Sequence, residues 1–224
     1  MSNQLVLNIL REPAYHPLRF IQSPSNIEAF TILENWPRWP FPILSLHGPK
    51  GSGKTYLAHL WAAHAKASFI KIEDLETYLI SESPLNSFPC FVLEDFCMEA
   101  LFEKDVFHFY NWILEKKGFL LITSREPLAQ MSYTLKDVES RLKSIPSFNL
   151  KLPDESLLLR LMHRYFEENQ LYVEEKLLHF CLMRLTRSFE TVLFFCETLN
   201  KQALSSHRKV SLSMIKHVLK SLED

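Results

Sequence analysis

Glycine, paired cysteine motifs, long apolar runs and an excess of either charge are all scarce or missing in this chain of 224 residues. No stretch of 18 apolar residues is present, which argues against a membrane-spanning helix. The N-terminus also lacks the charged segment and apolar block that mark a secretion signal. The net charge of −1 provides no overall basic field that would draw the protein onto nucleic acid. We therefore expect a cytoplasmic protein without a membrane partner.

The cysteines do not suggest a disulfide scaffold or a metal site. None of the four is spaced as C-x-x-C, and several lie in apolar runs, which predicts buried thiols in a reducing compartment. They are Cys90, Cys97, Cys181 and Cys196. The chain also lacks internal repeats and low-complexity tracts. With 47% hydrophobic residues, its length suffices for one α/β domain and a small appendage.

The few glycines are concentrated in one place, because three of the four fall within a single octapeptide. This octapeptide is Gly48-Pro49-Lys50-Gly51-Ser52-Gly53-Lys54-Thr55. It fills every position of the phosphate-binding loop pattern G-x-x-x-x-G-K-[ST]. In such a loop the glycines let backbone N–H groups face a phosphate, while Lys54 offers a charge to the outer phosphates and Thr55 a hydroxyl to Mg²⁺. The alternative is a Gly/Ser turn that happens to end in Lys-Thr.

The flanks of the loop favour the nucleotide-binding interpretation. An apolar strand is predicted before it and a helix without glycine or proline after it, which is the context that the motif needs. Further strands and helices alternate along the chain, as in a parallel sheet covered by helices on both faces. The predicted strands are Ile43–Leu46, Ser68–Ile72, Cys90–Leu93 and Phe119–Thr123. The predicted helices are Ile27–Trp36, with Ser25-Asn26 and Glu28 as a capping box, then Tyr56–Ala67 and Glu99–Lys117.

After about residue 150 the pattern becomes purely helical. One helix is predicted to start near Leu157 with Asp154 as its N-cap. Three more are predicted at Leu177–Leu185, Phe189–Leu204 and Leu212–Leu222. The fold class expected is therefore α/β, a P-loop base followed by a small all-helical subdomain, with boundaries at residues 20–150 and 151–224.

An acidic pair follows the third predicted strand. Glu94 and Asp95 come directly after the apolar run that begins at Cys90. A P-loop site needs an acid at the tip of a neighbouring strand to hold the metal, and often a second acid to orient the attacking water. Taken alone, two acids after an apolar run indicate only the start of a solvated loop. Combined with the loop, they are predicted to hold Mg²⁺ together with Thr55, with Asp95 in the catalytic role.

Several segments together resemble the DnaA-related branch of the AAA+ ATPases, and more narrowly the short Hda-type regulators of bacteria, in an alphaproteobacterial-like form. The resemblance covers nearly the whole chain. Its motifs are Phe20-Ile21-x-Ser23-Pro24-Ser25-Asn26, Trp36-Pro37-x-Trp39-Pro40, Leu121-Ile122-Thr123-Ser124 and Ser140-Arg141-Leu142. It implies an AAA+ P-loop domain with a helical lid, and ADP or ATP as cofactor. Asn26 in the entry segment and Ser124 at the first sensor are then expected near the nucleotide.

The same resemblance implies a role for Arg141 as an arginine finger that reaches a neighbouring subunit's nucleotide. A guanidinium is always charged and can stabilise charge that develops on a transferred phosphate. Without the resemblance, the simpler interpretation is a surface ion pair of Arg141 with Asp137 or Glu139.

The extreme N-terminus resembles the peptide by which Hda-like proteins dock on the DNA polymerase sliding clamp. In the segment 1–19, Gln4 would bind at a groove rim while Leu5, Leu7 and Ile9 enter apolar pockets. Otherwise it is a hydrophobic tail or an edge strand. The family's DNA-reading domain has no counterpart here, and the basic residues near the end are spaced like a solvated face, so we expect no direct sequence-specific DNA binding.

Two departures from the family pattern affect the γ-phosphate. Glu190 falls where the lid arginine of AAA+ proteins is expected, with Arg187 as a possible substitute. The second departure is that Ser124-Arg125 replaces the Ser-Asp typical of DnaA. A separate difference is that the glutamate comes first in the acidic pair, whereas many such ATPases place Asp first. We therefore expect weak or no intrinsic ATPase activity.

The expected function is regulation of replication initiation: a clamp-bound, ADP-carrying protein that stimulates hydrolysis of DnaA-bound ATP through Arg141, with a homodimer as a plausible state. The alternatives are a free-standing ATPase such as a helicase loader, a small-molecule kinase, and a non-enzymatic adaptor between clamp and initiator. A kinase would need several arginines converging beside the loop, and the sequence shows no such cluster there.

Overall fold

The computed structural model describes residues 20–80, 89–206 and 209–222. In the described part the sheet has five strands, all parallel, in the order β2-β3-β4-β1-β5. The strands are β1 (Ile43–His47), β2 (Ser68–Ile70), β3 (Cys90–Phe96), β4 (Phe119–Ser124) and β5 (Ser147–Asn149). The helices are α1 (Ile27–Glu34), α2 (Lys54–Ala65), α3 (Leu75–Ile80), α4 (Glu103–Glu115), α5 (Lys136–Lys143), α6 (Glu155–Glu168), α7 (Glu175–Leu182), α8 (Phe189–Ser206) and α9 (Leu212–Lys220). Short 3₁₀ turns lie at 72–74, 100–102 and 128–130.

The sheet is buried on both faces, and alternate residues of each strand point to opposite sides. On β4, Leu120 and Ile122 pack into a core beneath α3, α4 and α5, whereas Leu121 enters the core beneath α1 and α2. All three leucine and isoleucine side chains are almost fully buried. Helices on both faces explain why the central strands read as continuous apolar runs in the sequence.

The site-forming loops gather at one edge because all strands run the same way. In β-sheets of this kind the carboxyl ends of the strands share an edge, and ligands bind there. The phosphate-binding loop follows β1, the acidic pair lies near the end of β3, and Ser124 ends β4. β1 pairs with β4 over its whole length, from Ile43 opposite Leu120 to His47 opposite Ser124, so these loops are neighbours.

The helices after residue 150 form a separate core of their own. Its buried residues include Met162, Phe166, Phe195, Cys196 and Ile215, drawn from α6, α8 and α9. The predicted N-cap of the first of these helices is confirmed, since Asp154 Oδ1 accepts a hydrogen bond from Leu157 N at 2.8 Å. The α/β class with a helical C-terminal part is therefore confirmed.

Several local predictions were wrong. The strand β5 and the helix α3 were missed, because three mostly polar residues and a six-residue helix carry little periodic signal. The helix predicted at Glu99–Lys117 is divided into a 3₁₀ turn and α4. The first helix ends at Glu34 rather than Trp36, and its predicted capping box does not form because the cap residue is Asn26, whose side chain bonds elsewhere.

None of the cysteines among the described residues forms a disulfide, and three of them are buried. Burial raises the pKa of Cys90 to about 11 and that of Cys181 to about 12, so these thiols stay protonated at neutral pH. Cys97 is exposed, which corrects the prediction that all four would be buried. It lies just past the end of β3, where the chain leaves the sheet.

Among the described residues no helix is both long enough and apolar enough to cross a membrane.

Candidate functional site

The phosphate-binding loop adopts the curled backbone that its glycines permit. Gly51 and Gly53 have φ of 81° and 97°, in the left-handed region that strains other residues. Glycine is needed at position 48 for a different, steric reason, because a Cβ there would lie 2.1 Å from Leu150 O. The glycine positions of the motif are therefore required by the fold of the loop as well as by any ligand.

The loop presents backbone donors that have no partner within the described structure. The N–H groups of Gly51, Gly53 and Lys54 donate to no acceptor there, whereas Ser52 N donates to Pro49 O at 3.3 Å. Gly53 is also the N-cap of α2, so the positive end of the helix dipole lies at the same place. Unpaired N–H groups at a helix start are the arrangement that binds a phosphate. The residues present thus fit the phosphates of a nucleotide.

Lys54 is held inside the loop rather than extended from it. Its Nζ donates to Gly48 O at 2.8 Å and to Pro49 O at 3.0 Å, and the residue is 7% exposed. The pKa of Lys54 is lowered, mainly by burial. The charge of Arg125 also lowers this pKa, while the carboxylates of Asp95 and Glu94 oppose the change. The Lys54 ammonium thus lies inside the loop, and a bound phosphate would take the place of the Gly48 and Pro49 carbonyls as its partner.

The loop faces a polar cleft between the base and the helical part. The cleft is lined by Lys50, Gly51, Gly53, Lys54, Thr55, Tyr56, Asp95, Arg125, Phe189 and Glu190. It therefore contains the predicted Mg²⁺ ligands Thr55 and Asp95. Glu94, the third, does not line it. In the described ranges there is no preformed cluster of three histidine, cysteine or carboxylate side chains, so a cation here would depend on phosphate oxygens.

The acidic pair lies within β3 rather than after it, which corrects the predicted strand end at Leu93. The register with β4 shifts between Leu93 and Phe96, and Asp95 takes a left-handed φ of 49°. Asp95 N donates to Thr123 Oγ1 at 3.0 Å, and this hydrogen bond holds the irregular part of β3 against β4. Bulges of this kind turn a side chain to a new direction, and here Asp95 is the acid that reaches the cleft.

An apolar pocket adjoins the polar cleft. It is lined by Phe20, Ile21, Asn26, Ser52, Gly53, Tyr56, Leu57, Leu150, Leu161, Phe189 and Leu193. Its lining is mostly apolar and aromatic, as the walls of small-molecule sites are. Asn26 contributes to its wall, but its Oδ1 accepts from Ser23 N at 2.9 Å and its Nδ2 donates to Ile21 O at 3.0 Å. Asn26 therefore shapes the segment beside the pocket rather than offering free polar atoms to it.

The start of α8 sits directly on the loop. A Cβ on Gly51 would lie 2.6 Å from Ser188 Cβ, and one on Gly53 would lie 3.1 Å from the ring of Phe189. Glu190 Oε2 lies 3.9 Å from Lys50 Nζ across the rim of the cleft. Phe189 lines both the apolar pocket and the polar cleft, so it stands at their junction. The helical part thus covers the loop.

Two predicted cofactor residues lie elsewhere. Arg187 is exposed and does not line the cleft; its guanidinium Nη2 is 3.9 Å from Glu155 Oε2 on α6. Ser124 is fully buried, and its hydroxyl donates to Glu126 O at 2.6 Å. Arg125, which sequence reasoning treated only as a departure from a motif, lines the cleft instead.

Arg141 lies on α5 and is not among the residues that line this cleft. Its Nε donates to Asn111 Oδ1 at 3.3 Å, and its guanidinium lies over the ring of Phe107 at 4.4 Å. The predicted alternative partner Glu139 pairs with Lys143 at 2.6 Å. The partners of Arg141 within the described structure are thus an amide and aromatic rings of α4.

The residues predicted to bind the sliding clamp lie outside the described residues, so the structure does not test that prediction. They are Gln4, Leu5, Leu7 and Ile9.

A glycine-rich phosphate loop after β1, an acid on β3 and a helical cover on the loop are features of a P-loop nucleotide-binding domain, and the fold of this domain matches the AAA+ class. Residues 44–86 match the model of the ATPase family associated with various cellular activities. A similar structure is domain III of the Thermotoga maritima replication initiation protein DnaA, with a TM-score of 0.76 and 18% identity over 94% of this chain and 97% of that one.

Two further structures share this fold. DnaA from Aquifex aeolicus, solved with AMPPCP, matches with a TM-score of 0.68 and 16% identity over 84% of this chain and 65% of that one. The Thermotoga maritima RuvB Holliday junction branch migration motor matches with a TM-score of 0.67 and 15% identity over 93% and 72%. At these identities the likeness establishes the fold.

Proposed function

We propose that this chain is an ADP- or ATP-binding AAA+ regulator of chromosomal replication initiation. In this role it docks on the DNA polymerase sliding clamp and uses Arg141 to promote hydrolysis of ATP bound to DnaA. The observation that carries the proposal is the combination of an open phosphate loop with an arginine, Arg141, that does not line that loop's cleft and is held against α4. The likeness to DnaA domain III over nearly the full length of both chains supports it.

The nucleotide would be held mainly by the backbone. The free N–H groups of Gly51, Gly53 and Lys54, and the Lys54 ammonium, would bind its phosphates, and Thr55 and Asp95 would hold Mg²⁺ against them. The apolar lining of the adjoining pocket is suited to the adenine ring of the nucleotide. Bound Mg²⁺ would neutralise phosphate charge. Glu190 at the rim would repel a γ-phosphate, so we expect hydrolysis by this chain itself to be weak or absent and the nucleotide to be structural.

Arg141 is suited to act on a neighbouring molecule. It does not line this chain's own cleft, and it is partly exposed on a short surface helix. The ring of Phe107 and the amide of Asn111 restrict the directions its guanidinium can take without neutralising it. A positioned, unneutralised guanidinium is what an arginine finger supplies to a phosphoryl-transfer transition state.

The decisive experiment measures hydrolysis of DnaA-bound ATP in the presence of the clamp and this protein. We expect Arg141→Ala to reduce the stimulation by about 10³-fold or more while nucleotide and clamp binding persist. Arg141→Lys should rescue little, because an ammonium lacks the planar fork. Arg184→Ala is the matched control, since Arg184 also lies over a phenylalanine, Phe180, at 3.6 Å but on the helical part. Undiminished stimulation by Arg141→Ala would refute the finger assignment.

Clamp docking is tested separately by capture of the sliding clamp with the full-length protein. A Gln4→Ala, Leu5→Ala variant should lose capture, because such peptides bind through a rim hydrogen bond and buried apolar anchors. Capture that is equal for both proteins would remove residues 4–9 from the proposal.

A free-standing ATPase such as a helicase loader, or a non-enzymatic adaptor, is the alternative. Purified protein that already contains ADP and turns over slowly fits the regulator. Rapid turnover without a partner would favour the loader, and clamp and DnaA binding without any nucleotide would favour the adaptor.

A further inference from the structure

The apolar pocket beside the phosphate loop has walls from parts of the chain that are distant in sequence. The entry segment, residues 20–26, contributes Phe20 and Ile21 to the lining. The helical part contributes Leu161 of α6 and Leu193 of α8. A base bound in this pocket would contact both walls. Its release therefore depends on how firmly the entry segment and the helical part are joined.

The entry segment is fixed to the base at its start and braced at its end. The ring of Phe20 stacks on Phe30 of α1, with 4.4 Å between the ring centroids, and on Tyr56 of α2 at 6.0 Å. At the other end Asn26 is buried, and its Nδ2 donates to Ile21 O at 3.0 Å. These contacts set the position of the segment relative to α1 and α2, but they do not join it to the helical part.

Arg160 of α6 joins the helical part to the middle of the entry segment. Its Nη2 donates to Gln22 O at 2.9 Å, a charge-assisted hydrogen bond. The next residue along α6 is Leu161, which lines the pocket, so one turn of this helix supplies both a wall and a tie. Gln22 and Arg160 are both exposed, so this hydrogen bond can break without opening a cavity in either core.

We propose that Arg160 is a positioning residue that holds the entry segment closed over the base pocket and thereby slows the release of bound nucleotide. The inference rests on the nucleotide binding proposed above and gives a chain that retains ADP a means of retaining it. Release of a ligand enclosed in this way requires the walls to separate, and the Arg160 hydrogen bond must break first. Arg160 lines neither the pocket nor the polar cleft, so its effect should be the same for a diphosphate and a triphosphate.

The test measures how fast radiolabelled ADP and AMPPCP leave the full chain, with Mg²⁺ present, when an excess of unlabelled nucleotide is added. We expect Arg160→Ala to release both nucleotides about fivefold faster, which corresponds to about 1 kcal/mol for one lost hydrogen bond. Arg160→Lys should recover much of the slow release, because an ammonium can also donate to the Gln22 carbonyl. Arg184→Ala is the matched control, since Arg184 is exposed on the helical part and its Nη1 donates to a backbone carbonyl there, Phe180 O, at 3.0 Å.

The outcomes separate the inference from the proposed function. Release rates that are unchanged in Arg160→Ala overturn the inference and leave the nucleotide binding and the role of Arg141 intact. Faster release of only one of the two nucleotides would mean that Arg160 acts on the phosphates, and faster release in Arg184→Ala as well would mean a general loosening of the helical part; either result also overturns the inference. Failure of the wild-type protein to bind either nucleotide would overturn both the inference and the nucleotide-dependent function. Equal acceleration for both nucleotides, confined to Arg160→Ala and reversed in Arg160→Lys, supports the inference.

Discussion

The contact between the helical part and the phosphate loop is open to a quantitative test at Gly51. Replacing Gly51 by alanine would place a Cβ 2.6 Å from Ser188 Cβ, closer than carbon atoms in proteins approach. The new side chain would also sit at φ of 81°, in the left-handed region. The substitution therefore introduces two separate costs, a steric one that depends on Ser188 and a conformational one that does not.

Both costs can be given a size. An L-residue in the left-handed conformation costs about 1–2 kcal/mol, and forcing an extra carbon into a packed contact costs about 1–3 kcal/mol. We expect Gly51→Ala to lower the free energy of unfolding by about 2–5 kcal/mol in total. Gly53→Ala is the comparison, because its Cβ would meet the edge of the Phe189 ring at 3.1 Å, and a ring can shift. Gly53→Ala should therefore lower the free energy of unfolding by about 1–2 kcal/mol, the cost of the left-handed conformation alone.

A double-mutant cycle with Ser188→Gly separates the two terms. Ser188→Gly removes the clashing Cβ, and it also removes the Ser188 Oγ that accepts a hydrogen bond from Thr191 N at 3.1 Å. That second loss is common to both backgrounds and cancels in the cycle. Urea denaturation of the four proteins, without nucleotide, should show that Gly51→Ala costs about 1–3 kcal/mol less when residue 188 is glycine. A coupling free energy below about 0.5 kcal/mol would refute the contact between Ser188, at the start of α8, and Gly51 of the loop.

Two further predictions concern stability. Glu103, which is 1% exposed, accepts hydrogen bonds from Thr134 N and Leu135 N at 2.6 Å and from Thr134 Oγ1 at 2.8 Å. Burial alone would raise the pKa of Glu103, but these hydrogen bonds outweigh it and the pKa is lowered. Its stabilisation should therefore be complete above the unfolded-state pKa of about 4.3 and disappear as the pH falls below that value through the folded-state pKa. Glu103→Gln should cost about 2–3 kcal/mol at pH 7 and progressively less toward pH 3, and a pH-independent difference in urea denaturation would contradict this. Phe195 is fully buried in the core of the helical part, so Phe195→Ala should cost about 3–5 kcal/mol in calorimetry or urea denaturation, whereas Phe194→Ala, at an exposed neighbour, should cost little.

The Glu103 contacts also bear on the proposed arginine finger. Thr134 and Leu135 immediately precede α5, the helix that carries Arg141. Glu103 lies at the start of α4, and Asn111 and Phe107 of the same helix contact Arg141. One helix thus anchors both the entry to α5 and the guanidinium on it. Loss of Glu103 should therefore loosen the placement of Arg141 as well as the fold.

Some features of the protein were determined by short stretches of sequence alone. The phosphate loop is one, because its backbone path depends on left-handed φ values that glycine at positions 51 and 53 supplies locally. The central strands are another, since their alternating burial on both faces of a parallel sheet produces uninterrupted apolar runs. The cap of α6 by Asp154 likewise depends only on residues three apart.

Other features were decided by contacts between residues far apart in the chain. The sequence predicted Arg187 and not Arg125 as a phosphate-binding residue, and only the packing of β4 and of the turn before α8 puts Arg125 in the cleft and Arg187 beside Glu155. Asp95 reaches the cleft because a register shift against β4 turns it there, and Asn26 is engaged by Ser23 and Ile21. β5 exists because His47 and Ser45 of β1 offer it a partner strand, which three residues cannot signal alone. Local sequence determines backbone conformation and burial, whereas the direction of a charged side chain depends on which distant element it finds beside it.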